Sequence, residues 1–174
     1  EKYHTYSRPL ISYYLNGKSD REKMKYRPTN FYKDNNAQLL KGVEAIKIDR
    51  ENKLVFTDDN RKLRYDKLMI ATGSRPFVPP FKGLSNVDKV FTFYNMFDAL
   101  KLEKELGRDK KVLIVGAGLI GLKCAEGIYG KVKEIVVVDK SHKVLSSVLD
   151  DASSEIVNKH LEKRSPNLSR LEVI

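Results

Sequence analysis

KKVLIVGAGLIGLKCAEGIYG (residues 110–130), followed by EIVVVD (134–139), decides the fold. Residues 110–116 are a continuous apolar run ending in glycine, the mark of a buried strand in a parallel sheet covered on both faces. Residues 119–130 have helical spacing, and 134–139 repeat the buried-strand pattern. Between the first strand and the helix stands Gly116-Ala117-Gly118-Leu119-Ile120-Gly121. Gly116 suits a tight turn, Gly118 lets a backbone approach a pyrophosphate, and Gly121 lets helix and strand pack closely. Leu119 and Ile120 open the helix, whose N-terminal N–H groups and dipole favour an anion. Asp139 ends the second strand, about twenty residues on, where a carboxylate can accept hydrogen bonds from ribose hydroxyls. The alternative is a βαβ unit whose glycines serve packing alone, with Asp139 capping the next turn.

Outward from this unit, residues 95–106 (NMFDALKLEKEL) predict a helix with Asn95 as N-cap and Gly107 as its stop. Residues 150–163 predict another helix, with Asp150 and Asp151 at its positive end. LEVI (171–174) begins a third strand. Upstream, Pro76 through Pro79, Pro80 and Gly83 interrupt regular structure and mark a boundary. Before it lies a β-meander: VEAIKID (43–49), with Val43, Ala45 and Ile48 inward; KLVFT (53–57); and KLRYDKLMIATG (62–73), finishing as a buried strand. Leu10, Ile11, Tyr14 and Leu15 predict a short helix closed by Gly17, and the charged residues after Lys18 a solvated helix and then a loop. The fold class is therefore α/β, a Rossmann-like doubly wound parallel sheet with a smaller meander-containing domain. The expected domains are 1–92 and 93–174.

Composition limits the function classes. Apolar residues make up 41% and charged residues 32% of 174, a globular balance. No apolar run approaches the roughly 18 residues of a membrane span, and the first residues lack a signal-peptide pattern. One cysteine, Cys124, excludes a disulfide framework, a CxxC pair and a thiolate zinc site, and suits a reducing, cytoplasmic setting. Net charge is +10, but the lysines are spread among acids, and no zinc-finger spacing, RNP motif or basic arm accompanies them. Nucleic acid and membrane are accordingly not expected as partners. His4, His142 and His160 do not cluster with acids and are expected at the surface or in caps, with no metal.

The motifs together resemble the two-dinucleotide flavoprotein reductases, the pyridine nucleotide-disulfide oxidoreductase superfamily. YDKLMIATGSRP (65–76) is similar to that family's second FAD signature, and VLIVGAGLIGLKCAE (112–126) to its internal NAD(P)H site. HTYSRPLISYYLNGK (4–18) resembles a narrower branch, the nitrite reductase flavin subunits and rubredoxin reductases. The resemblance implies FAD and NAD as cofactors, with residues 1–92 a partial FAD-binding domain and 93–174 half of an NAD(P)-binding one. The family's first FAD phosphate loop is not among these residues. An internal portion of a longer enzyme, inactive by itself, is the expectation.

By the same resemblance, Arg8 lies near the flavin, Val43 near the adenine, and Ala71, Thr72 and Gly73 form a turn against the flavin dinucleotide. A surface arginine and an ordinary inward strand residue are the plainer roles for Arg8 and Val43. Tyr13 and Tyr14 either stack near the flavin or pack in the core. No cysteine stands in SRPLIS, and Cys124 falls among apolar helix residues, so thiol-based reductase chemistry is not expected. What remains is an enzyme that passes hydride from NADH to flavin and electrons on to a protein acceptor, a rubredoxin or a sirohaem-type reductase. An NADH oxidase, or an NAD(P)H-binding module without catalysis, is the alternative. Asp139 favours NADH over NADPH, because a 2′-phosphate would meet its charge. Lys140, counted with Asp139 among the expected cofactor-binding residues, and Lys143 oppose that preference, because either could reach a 2′-phosphate.

Overall fold

A computed structural model describes residues 1–164 and 168–173. They form α1 (Ile11–Leu15), α2 (Phe31–Asp34), β1 (Ala45–Asp49), β2 (Leu54–Thr57), β3 (Lys62–Arg64), α3 (Met96–Glu103), β4 (Lys111–Val115), α4 (Leu119–Ile128), β5 (Glu134–Asp139), α5 (Asp151–Arg164) and β6 (Leu168–Val173). Short 3-10 turns cover Arg8–Leu10 and Leu84–Asn86. Two compact units result: Glu1–Ser7 with Lys25–Arg75, and Arg8–Met24 with Pro76–Ile174. This division departs from the expected 1–92 and 93–174, because α1 packs with α3 and α4 in the second unit.

In the second unit β4, β5 and β6 lie side by side in that order, all parallel. Two successive strands joined by a helix and paired in parallel make the expected βαβ arrangement. The third strand falls at Leu168–Val173, earlier than expected, and Ile174 lies outside the described residues. The buried apolar side chains of the described residues all belong to this unit, among them Ile11, Leu15, Met96, Ile114, Cys124, Ile128, Ile135 and Val138. Asn95 caps α3 by accepting from the Asp98 N–H at 2.9 Å. Asp98 in turn accepts from Thr92 Oγ1 at 2.9 Å and the Tyr94 N–H at 3.1 Å. The helix stops at Glu103, three residues before the expected end. β4 is not covered on both faces as expected: Leu113 and Val115 are exposed while Ile114 is buried. An apolar run shows that a strand suits burial; a covering layer must supply it.

Gly127 lets α4 approach α1. A β-carbon there would stand 3.2 Å from both the Ser12 Cα and carbonyl oxygen and 3.4 Å from Leu15 Cβ. The solvated helix expected after Lys18 is instead a turn, in which the Lys23 N–H donates to Asp20 Oδ1 at 2.9 Å and Met24 is fully buried. One deeply apolar residue in a charged run cannot make a helical face, but it can anchor a turn.

In the first unit β1, β2 and β3 form the antiparallel meander. Two of its strand expectations are corrected. Ala45 and Ile48 are exposed, and Val43 is half-buried and precedes the strand. The third strand ends at Arg64, and residues 67–73 are not a buried strand: Met69 is 87% exposed and Ile70 68%. The unit contributes no buried apolar side chain among the described residues, so a strand-like pattern finds nothing to pack against. The Phe56 ring is flanked instead by the Lys47 and Lys62 ammonium groups, at 5.6 and 5.7 Å from its centroid. No helix among the described residues is long and apolar enough to cross a membrane.

Candidate functional site: the glycine loop between β4 and α4

β4 ends by donating the Gly116 N–H to the Val138 carbonyl at 2.7 Å. Gly116 then takes φ 113, a left-handed value that L side chains rarely adopt. Gly121 is required for a different reason. A β-carbon on it would lie 1.9 Å from the Gly116 carbonyl oxygen and 3.3 Å from Ile114 Cγ2. At Gly118, the extended N-cap of α4, a β-carbon would meet nothing within 4 Å. So Gly116 serves the turn, Gly121 the close crossing of helix over strand, and Gly118 an open approach to backbone. Leu119 and Ile120 are exposed at 60% and 58%. The first N–H groups of α4 lack intrahelical acceptors by helix geometry and carry the positive end of its dipole.

Asp139 does more than the sequence indicated. Its Oδ2 accepts from the Ala117 N–H at 2.6 Å, in the middle of the glycine loop. Its Oδ1 accepts from the Ser141 N–H at 2.7 Å. The turn-capping alternative is therefore present together with a contact to the loop. A carboxylate has about four acceptor sites, so two such bonds leave capacity for ribose hydroxyls. Further bonds tie the turn down: the Leu145 N–H donates to the Ala117 carbonyl at 3.0 Å, and buried Ser154 Oγ donates to the Val144 carbonyl at 2.7 Å. Neither was foreseen, since both join residues on different elements. Lys140 is exposed, and Lys143 pairs with Asp151 at 2.6 Å. An open glycine backbone, a helix N-terminus and a half-buried carboxylate fit the pyrophosphate and ribose of a dinucleotide.

The residues attributed to flavin binding divide between the units. Arg8 belongs to the second, exposed, with its guanidinium carbon 4.3 Å from the Tyr94 ring centroid. Tyr13 and Tyr14 are half-buried on α1, and the Lys123 ammonium stands 4.4 Å from the Tyr13 centroid. Val43, Ala71, Thr72 and Gly73 belong to the first unit, where the last three are exposed and Gly73 takes φ 74. No turn is formed at residues 71–73, so the expected turn is not seen; only the left-handed φ of Gly73 is of the kind that glycine favours. Cys124 is buried, and burial pushes its thiol up to about 12. His142 and His160 are exposed, but His4 is not a surface residue: it is half-buried, 5.6 Å from the Tyr32 ring, with Nε2 enclosed and without a hydrogen-bond partner. Among the described residues no group of three acids, histidines or cysteines is placed to hold a metal.

The chain is similar to several known proteins. An NADH oxidase of Methanocaldococcus jannaschii is 37% identical over 171 residues, covering 94% of this chain and 38% of that protein. The nitrite reductase [NAD(P)H] of Bacillus subtilis is 32% identical over 164 residues, covering 94% and 20% respectively. Among solved structures, the covalent putidaredoxin reductase–putidaredoxin complex matches with a TM-score of 0.76 and 28% identity, over 92% of this chain and 40% of that one. The chain thus spans between a fifth and two fifths of the length of these relatives. The sequence pattern described as pyridine nucleotide-disulphide oxidoreductase matches residues 1–168, and the chain belongs to that family.

Proposed function

We propose that this chain forms part of an FAD- and NADH-dependent oxidoreductase that passes hydride from NADH to flavin and electrons on to a protein acceptor. The observation that carries the reading is the glycine loop: Gly121 has no room for a side chain, and Asp139 holds the loop backbone through Ala117. When bound, the two cofactors supply the hydride and electron chemistry. The chain's own residues hold and orient. Gly116 and Gly118 present backbone to the nucleotide pyrophosphate, Leu119 and Ile120 flank it, and Asp139 receives the adenine ribose. Ala71, Thr72 and Gly73 lie against the flavin dinucleotide, Val43 by the adenine and Arg8 by the flavin. A rubredoxin-type protein or a sirohaem-type reductase is the acceptor class. The putidaredoxin complex supports protein docking, and the nitrite reductase match supports the second acceptor. The 37% match to an NADH oxidase supports oxygen as the competing acceptor. A cytoplasmic setting is supported by one buried thiol.

Asp139 makes NADH the preferred nucleotide. Two unit charges 4 Å apart repel by roughly 4 kcal/mol at an effective dielectric near 20, so a 2′-phosphate beside this carboxylate is strongly disfavoured. The test is titration of the chain with NADH and NADPH. NADH should bind at least tenfold more tightly, and Asp139→Ser should narrow the ratio while weakening both, because Ala117 loses its acceptor. Equal affinities in the wild type, or an unchanged ratio in the variant, would refute the assignment. The acceptor is tested in the flavin-loaded enzyme, by oxygen uptake against rubredoxin reduction.

A further inference from the structure

The turn after Asp139 contains two lysines, and the structure treats them differently. Lys140 is exposed. The Lys143 side chain is only 23% exposed, and its ammonium pairs with Asp151 Oδ1 at 2.6 Å, on the first residue of α5. The backbone between Asp139 and Lys143 is drawn into one turn, the Ser141 N–H donating to Asp139 and the Lys143 N–H to Ser141 Oγ at 3.4 Å. The neighbouring acids are committed elsewhere. Asp150 Oδ1 accepts from the Ser153 N–H at 2.8 Å, and Glu155 pairs with Lys159 at 2.6 Å. A cleft of about 180 Å³ opens beside the pair, lined by His142, Lys143, Asp151, Ser154 and Glu155.

We infer that Asp151 is a specificity-determining residue, which keeps the Lys143 ammonium from serving as a ligand for a nucleotide 2′-phosphate. The inference rests on the NADH reading above and extends it from Asp139 to a residue twelve positions on. A lysine is a compact charge on a flexible stem, so it moves to whichever anion attracts it more. A phosphate monoester carries close to two negative charges, so it competes with a carboxylate for the same ammonium, and the Asp151 contact must be given up before Lys143 can bind it. The Asp151 charge also remains next to any phosphate that approaches Lys143. The turn does not depend on the ion pair for its shape, because the buried Ser154 hydroxyl separately fastens the Val144 carbonyl to α5. Removing the Asp151 charge therefore releases the lysine without releasing the turn.

Asp151→Asn tests this, read by NADH and NADPH titration of the chain at low ionic strength. Exposed pairs of this kind are weak, so NADPH affinity should rise by about two- to fivefold, with NADH affinity unchanged. Lys143→Met in the Asp151→Asn background should cancel the gain, and 0.5 M salt should shrink it. If both nucleotides weaken together, Asp151 has only a structural role, and the inference fails. It fails also if NADPH affinity does not change, or if the gain survives Lys143→Met. A wild-type chain that binds neither nucleotide would overturn the underlying reading as well, whereas NADH binding with no response to Asp151→Asn would overturn this inference alone.

Discussion

Gly121 is the residue on which the loop depends most. A β-carbon 1.9 Å from a carbonyl oxygen cannot be relieved by a side-chain rotation, because the obstructing atom is backbone. Gly121→Ala should therefore force α4 away from β4, at a cost of about 2–3 kcal/mol, and abolish NADH binding. Thermal unfolding together with nucleotide titration checks it; a stable variant with unaltered affinity would show that the crossing is looser than described. Cys124 gives a second expectation. Its thiol is pushed up to about 12 by burial, and only the thiolate is nucleophilic, so the folded chain should resist thiol reagents at pH 8. The folded value is raised above the ordinary thiol range near 8.5–9. Its contribution to stability is therefore complete below that range and is lost as pH rises from about 9 to 12. Rapid labelling of the native chain at pH 8 would contradict this burial. Gly116 and Gly121 could be read from sequence because each answers a local steric demand, a left-handed φ and a close helix–strand crossing, whereas a β-carbon at Gly118 would meet nothing within 4 Å. The bond from Ala117 to Asp139 could not, because it spans 22 residues and involves a backbone N–H that no residue type advertises.

Among the elements, β4, α4, β5 and α3 were legible for the same reason: their patterns are local and their ends have chemical markers. Asn95 at the start of α3 is the clearest, since its side chain satisfies the Asp98 N–H. Asn95→Ala should cost about 1 kcal/mol, seen as a lower melting temperature with unchanged nucleotide affinity. No loss of stability would show that Asp98, through Thr92 and Tyr94, holds the helix end by itself. The segments misread from sequence share a different cause. Residues 67–73 are not the expected buried strand, and β1, though a strand as expected, leaves Ala45 and Ile48 exposed, as Met69 and Ile70 are, because apolar periodicity reports a capacity for burial and says nothing of the partner. The reverse case is Gly127, an unremarked helix glycine that lies against the Ser12 backbone. Gly127→Val should separate α1 from α4 and cost about 2 kcal/mol, beyond the loss from helix propensity alone. An unfolding midpoint within error of the wild type would remove the close approach of the two helices.

At the scale of the whole molecule the dominant quantity is charge: 33 basic against 23 acidic residues, a net charge of +10. Such a field raises encounter rates with acidic partners and does so less as salt rises. A basic run, Lys18 to Arg27, follows shortly after α1, and its residues 21–24 form a turn rather than the expected helix. Lys18, Arg21, Lys23 and Arg27 are exposed, while Lys25 is half-buried and donates to Thr29 Oγ1 at 3.0 Å. The Arg27 guanidinium carbon stands 5.1 Å from the Tyr26 ring centroid and 5.4 Å from that of Phe31, which keeps this charge close to the fold. The turn anchored by buried Met24 holds Lys18, Arg21 and Lys23, all of the second unit, in a more fixed arrangement than a frayed helix would, and these three are the charges on which an expected docking of an acidic electron acceptor can be tested. Replacing Lys18, Arg21 and Lys23 by glutamate reverses three charges without touching Asp139 or the glycine loop. Association with an acidic rubredoxin-type protein should then slow by about tenfold at low salt, with NADH affinity unchanged. The difference between variant and wild type should narrow as sodium chloride is raised toward 0.5 M. Stopped-flow measurement across that salt range checks it. An association rate indifferent to both salt and charge reversal would place the acceptor on another face of the protein, and the excess of lysine would then serve solubility alone.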